Sequence, residues 1–160
     1  MTVTPVAMSA LISIDTASII TERSKRTWQR RLASGVERVL EDLRGRAMIR
    51  LVDVHPFICV PLSDYDISAL VLADSGSAAG QCDIGQVFDL LGKHEIAIYW
   101  WRQAAEQGYA EAMQCLGSAH AEGRGVSVDE NLALMWIARA AAQGHLIARA
   151  QIDGLLPCAS

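Results

Sequence analysis

The sequence predicts a mainly α-helical chain in two parts. A short α/α solenoid of about two and a half helical-hairpin repeats follows a small helix-turn-helix-like domain that has room for a β-hairpin wing. Three observations lead there. A Trp- and Ala-rich segment recurs 36 residues apart in the second half. Charge splits along the chain: residues 1–55 hold nine Lys/Arg against six Asp/Glu, and residues 56–160 hold five against twelve. The 160 residues are 51% apolar and 20% charged, which offers enough apolar surface to offset chain entropy and excludes disorder as the main state. The expected organisation is a domain at 1–55, a linker at 56–63 and a repeat domain at 64–160.

Residues 12–32 read as two short helices around a tight turn. Ile14, Ala17 and Ile20 share one face of the first. Thr21 to Ser24 is polar and makes the turn, with Ser24 as N-cap. The second helix, Lys25–Ser34, buries Trp28 and Leu32 and exposes Lys25, Arg26, Gln29, Arg30 and Arg31. Gly35 ends it. A basic helix of this length suits the major groove of duplex DNA, where Arg and Gln read base edges.

Met48–Val54 is apolar and β-branched enough for a strand. Paired with 36–43 it forms a hairpin whose tip, Arg44-Gly45-Arg46, sets two guanidiniums on phosphate. Val36, Val39, Leu40 and Leu43 also fall at helical spacing, so strand and helix stay open over 36–43. Glu37, Glu41 and Asp42 in the same stretch oppose a phosphate contact. Pro56 and Pro61 bound the linker, and the repeats begin near Asp64. Asp64 and Asp66 beside Ser63 read as a helix cap, not as an acid–base pair.

The repeat unit is readable in its later copy. Ala110–Glu122 is rich in small residues and lacks Pro, so it reads as a first helix. Gly123-Arg124-Gly125 breaks it as a plain turn in which Arg124 carries little energy. Asp129 caps a second helix that runs to about Gln143, and Gly144 takes the left-handed position after it. Gly85 and Gly117 mark close helix crossings, because an interior helical Gly otherwise costs about 1 kcal/mol. Trp100 and Trp136 fill the space between successive hairpins. A degenerate copy ends at Ala73-Asp74-Ser75-Gly76, and a further copy opens at His145.

Ala112, Leu116-Gly117, Gly123-x-Gly125-Val126, Asp129, Ala133, Trp136, Ala140-Ala141 and Gln143-Gly144 together resemble the Sel-one-like repeat family of tetratricopeptide-type solenoids. His120 stands where that family usually has Tyr, and the earlier copy lacks the GxGV loop. The resemblance implies a protein-interaction module without chemistry. Ala17, Thr27, Gly35 and Gly45-Arg46 are similar to the excisionase/MerR-type winged helix-turn-helix, which implies duplex DNA binding as a dimer.

No Ser-His-Asp spacing, HExxH, Walker loop or GxGxxG is present, so an enzyme is not expected. The four Cys form no CxxC and read as four small buried thiols in a reducing cytosol, so neither metal nor cofactor is expected. No apolar run reaches the ~18 residues of a membrane span, and Asp15 interrupts the N-terminal apolar stretch, so the expectation is a cytoplasmic protein without a membrane partner. The function expected is a DNA-binding transcriptional regulator whose repeats bind a protein partner. The alternative is an adaptor or anti-activator that does not touch DNA. Lys25, Arg26, Gln29, Arg30, Arg44 and Arg46 are the candidate nucleic-acid contacts; Tyr99, Trp101, Leu155 and Leu156 are the candidate partner contacts. Leu146, Ile147 and Ile152 on the last helix add a homodimer to the expectations.

Overall fold

A computed structural model describes residues 9–35 and 40–155. The chain divides into two compact units, Met1–Gly76 and Ser77–Ser160. The first holds β1 (Leu11–Ser13), α1 (Ile14–Thr21), α2 (Lys25–Ala33), β2 (Leu40–Glu41), β3 (Ala47–Arg50), α3 (Leu51–Val54), a 3-10 turn (His55–Phe57) and α4 (Asp64–Asp74). The second holds α5 (Ala78–Leu90), α6 (His94–Glu106), α7 (Ala110–Glu122), α8 (Glu130–Ala142) and α9 (Leu146–Leu155).

In the first unit the antiparallel sheet has the order β1-β3-β2. Ile12 lies opposite Ile49, and both are fully buried. The expected helical start at Ile12 is therefore corrected: Leu11–Ser13 is the strand that completes the sheet, and the Ser13 hydroxyl caps α1 by accepting from Thr16 N. The expected α1–turn–α2 pair is present. Ile14, Ala17 and Ile20 are buried from α1, Trp28 and Leu32 from α2. Trp28 Nε1 donates to Thr21 Oγ1 at 3.1 Å, so the buried indole is satisfied. Ser24 caps α2 as its sequence position implied.

The strand expected over Met48–Val54 stops at Arg50, and Leu51–Val54 turns helical to bury Leu51 and Val54 on the same side. Leu40–Glu41 pairs with β3, so the strand reading holds there; positions 36–39 lie outside the described residues. The hairpin tip is organised by Asp42, whose Oδ1 accepts from the backbone amides of Arg44 and Arg46.

Helix α4 falls in the first unit, whereas the repeat register had counted it with the second. Asp74 is the reason. Its buried carboxylate accepts from Ser13 N, from Ser13 Oγ at 2.5 Å and from Thr16 Oγ1 at 2.6 Å. A buried charge held by several donors anchors the end of α4 to the β1–α1 junction. The stretch read as a linker is also packed: Phe57 meets Trp28 edge-on at 5.9 Å, and Cys59 N donates to Ile20 O.

The second unit follows the repeat reading closely. Asp129 caps α8 through Leu132 N, and Gly123 and Gly144 adopt positive φ. Helices cross closely at the two expected glycines. A Cβ on Gly85 would sit 2.5 Å from Trp101 Nε1, and one on Gly117 would sit 2.6 Å from Ile137 Cγ1. Trp100 is buried as expected, but Trp136 is only half-buried; among the described residues α9 alone follows its hairpin.

Two glycine substitutions separate packing from helix propensity. Gly85→Ala is expected to destabilise the protein by about 1–3 kcal/mol, since the added methyl displaces the Trp101 ring. Gly154→Ala, which meets open space in α9, is expected to be neutral or stabilising by up to ~1 kcal/mol. Urea midpoints of the two variants check both values.

Candidate functional site

The repeat unit builds its surface from the α5–α6 and α7–α8 hairpins. The loop between α7 and α8 does more than turn the chain. Gly125 at φ 67 lies so close to the start of α6 that a Cβ there would be 2.6 Å from the His94 carbonyl carbon. Arg124 Nη1 donates to Asp89 at the end of α5, and Arg124 Nε donates to Glu122 Oε2 at 2.7 Å. Asp89 Oδ1 also lies 2.7 Å from His94 Nδ1. One carboxylate therefore joins the end of α5, the start of α6 and the loop of the next repeat. This corrects the expectation that Arg124 carries little energy. The sequence signal was the extra GxGV loop itself, which appears in one copy only and inserts against the other.

Beside this junction is a cleft of about 390 Å³ lined by Ile98, Tyr99, Arg102, Gly125 and Val126 among others. Tyr99 is half-buried and stands edge-on to Trp100, with centroids 5.1 Å apart, so part of its ring stays open to solvent. Trp101 does not. It is 2% exposed and packs against Gly85, which corrects its assignment as a partner contact. A second cleft of about 390 Å³ lies where Met113, Trp136 and Arg139 meet, with the Arg139 guanidinium 5.2 Å from the Trp136 ring.

The last repeat is more open than the one before. Ile98 is 4% exposed, but Leu134 at the equivalent place is 47% exposed. On α9, Leu146, Ile147 and Leu155 are exposed as well. Leu156 lies outside the described residues. Of the other histidines on the repeats, His145 Nε2 lies 2.8 Å from Glu111 Oε2, and His120 is buried within α7.

In the first unit α2 is held from behind by Trp28 and Leu32, and Arg26, Gln29 and Arg30 point to solvent. Lys25 is also exposed but pairs with Asp15 at 2.8 Å. Arg31 is drawn off that face, its guanidinium 4.6 Å from the Phe57 ring. Arg44 is exposed at the hairpin tip. Arg46 is not free for phosphate: its Nε donates to Asp42 Oδ2 at 2.7 Å and its Nη1 reaches the Asp74 carbonyl at 3.4 Å. The Arg46 amide, and then its guanidinium, hold the Asp42 carboxyl below its ordinary range. Of the five cations among the six candidates, Arg26, Arg30 and Arg44 keep an open surface position, Lys25 is exposed within an ion pair, and Arg46 is engaged by Asp42.

Among the described residues no helix is long and apolar enough to cross a membrane, and no group of three or more His, Cys, Asp and Glu could hold a metal ion. Residues 85–109 and 110–145 match the Sel1 repeat. No curated protein matches the chain. These repeats indicate a protein–protein interaction domain and imply an α/α solenoid. Proteins built on these repeats are typically adaptors without catalytic activity.

Breaking the Asp89 junction gives a direct measure of its weight. Arg124→Ala is expected to lower stability by about 1–3 kcal/mol, because Asp89 loses a charged donor. Arg102→Ala, on the exposed face of α6, is expected to stay within ~0.5 kcal/mol of the wild type. Thermal and urea unfolding of both variants, with the same m-value, would establish the difference.

Proposed function

We propose that the chain is a non-enzymatic, two-part regulator of the cytoplasm: the first unit binds duplex DNA, and the Sel1 repeats bind a protein that is brought to it. One observation supports the DNA reading most. Helix α2 presents Arg26, Gln29 and Arg30 from a scaffold whose other face is buried, in the same unit as an antiparallel hairpin with Arg44 at its tip. A short helix anchored in this way fits a major groove, with Arg and Gln as base readers and the tip against phosphate. Protein binding is assigned to the cleft by Tyr99, where Arg102 and Glu95 rim an apolar floor.

The ion pairs of Lys25 and Arg46 favour a second reading, in which the basic face meets an acidic protein instead. Salt separates the two. Duplex binding through several phosphates falls steeply and linearly on a log–log salt plot. Arg30→Ala is expected to weaken duplex binding by about 1–3 kcal/mol with an unchanged circular dichroism spectrum. Absence of duplex binding by the wild type at low salt would leave the adaptor reading alone.

The open apolar residues of α9 support a homodimer with this helix in the seam. Light scattering at micromolar concentration is expected to give twice the 17.3 kDa chain mass. Leu146→Glu with Ile147→Glu is expected to return it to the monomer; a wild-type monomer removes the dimer from the proposal.

A further inference from the structure

The cleft beside Tyr99 carries charge as well as an apolar floor. Glu95, Ile98, Tyr99, Arg102 and Gln103 line it from α6, at steps of three and four that keep them on one face of the helix. Gly125 and Val126 line it from the loop of the next repeat. Gly125 packs against His94 and the Glu95 amide, so the loop lies at the Glu95 end of the stripe. Ile98 is buried, Tyr99, Gln103 and Val126 are half-buried, and Glu95 and Arg102 are exposed. An apolar middle therefore stands between an anion at the loop end and a cation two turns further on. The two charges are seven positions apart, about 10.5 Å along the axis at ~1.5 Å per residue.

Neither charge belongs to the packing of the repeat. Their charged neighbours, His94 and Arg124, are both engaged by Asp89. Glu95 and Arg102 form no ion pair among the described residues. The later copy keeps the apolar pair as Leu134-Met135, but it has Asn131 and Ala138 where Glu95 and Arg102 stand. The repeat thus requires the apolar middle and not the charges that flank it. Unpaired charges of opposite sign at the two ends of a concave apolar surface fix the partner's register and direction more than they add affinity.

We propose that this cleft takes a short amphipathic helix of a partner protein, antiparallel to α6, with a carboxylate facing Arg102, apolar anchors over Ile98 and Tyr99, and a Lys or Arg facing Glu95. The partner's pattern is acidic at i, apolar at i+3 and i+4, and basic at i+7. These spacings keep all four side chains on one helix face, as recognition of a helix in a groove requires. The antiparallel direction puts the partner's carboxylate in its earlier turn and its cation in the later one, which also suits the partner's own helix dipole. The parallel direction would oppose that dipole. The cleft volume of about 390 Å³ takes the anchor side chains, with the body of the helix lying above them. This inference rests on the assignment of protein binding to the same cleft and adds the partner's form, charge order and direction.

The test uses the full chain and two fluorescein-labelled peptides of about 18 residues, Ala-rich so that they form helix. One carries Glu, Leu-Leu and Lys at i, i+3 with i+4, and i+7; the other has Glu and Lys exchanged. Fluorescence anisotropy at low salt is expected to show the first peptide binding about 5-fold tighter, with the preference shrinking as salt rises. In the double variant Glu95→Arg with Arg102→Glu the preference is expected to reverse. Any difference in helicity between the peptides cancels when the two proteins are compared. Both substitutions are at exposed positions, and circular dichroism checks that the fold is kept. Tyr99→Ala is expected to weaken both peptides about 10-fold. Equal binding of the two peptides, or a preference that the double variant leaves unchanged, would overturn the charge-ordered helix. If Tyr99→Ala still weakened binding in that case, the cleft itself would stand as the protein site. Peptide binding that Tyr99→Ala does not weaken would remove the cleft as well. No binding of either peptide would overturn the helical partner alone.

Discussion

The repeat unit depends on two helix crossings that leave no room for one methyl group. At Gly85 the Trp101 indole occupies the volume a Cβ would need, and at Gly117 the Ile137 side chain does the same. Close approach is what lets large rings serve as filling in a stack of otherwise small residues. Ala97, Ala104, Ala112, Ala133, Ala140 and Ala148 are all buried and bring the backbones near, while Trp100 and Trp101 take up the remaining space. Dispersion over such surfaces is additive and shape-dependent, so an interface of this kind tolerates little change in volume. The GxGV loop extends the same logic to polar contacts. Gly125 admits the loop to the start of α6, and only then can Arg124 reach Asp89.

The first unit is held by different means. Beside its apolar core, a buried carboxylate takes part in the anchoring. Asp74 receives two hydroxyls and a backbone amide from Ser13 and Thr16, with Arg46 on its carbonyl. Such a node is costly to leave unpaired, which ties the end of α4 to the strand and helix that supply its donors. The same economy limits the basic surface. Lys25 and Arg46 meet carboxylates, Arg31 lies over Phe57, and the open positive face narrows to Arg26 and Arg30 on α2 with Arg44 at the hairpin tip. Net charge in a sequence window therefore overstates the charge that a partner meets.

Much of the candidate site was legible, and the parts that were not share a cause. Tyr99 could be placed beside a groove because the Tyr-Trp-Trp run sits at known phase in a repeated helix. Trp101 was assigned to the same groove, but it lies within one helical step of the buried stripe and is buried with Trp100. Trp136 repeats Trp100 in sequence yet differs in burial, because its cover comes from the next hairpin and not from its own.

By itself the sequence determined what is local or periodic. Helix spans, the Ser24, Ser63 and Asp129 caps, the left-handed glycines at 123 and 144 and the repeat phase all follow from residue type at short range. The Sel1 match over 85–145 rests on that periodicity. Tertiary structure decided everything that depends on a partner far along the chain. It turned Ile12 from helix to strand by supplying Ile49 as its neighbour, and it moved α4 into the first unit through Asp74. It also joined Arg124 to Asp89. The physical reason is common to all three. Backbone propensity and capping act over a few residues, whereas burial and hydrogen bonding reward whichever groups the packed fold brings together.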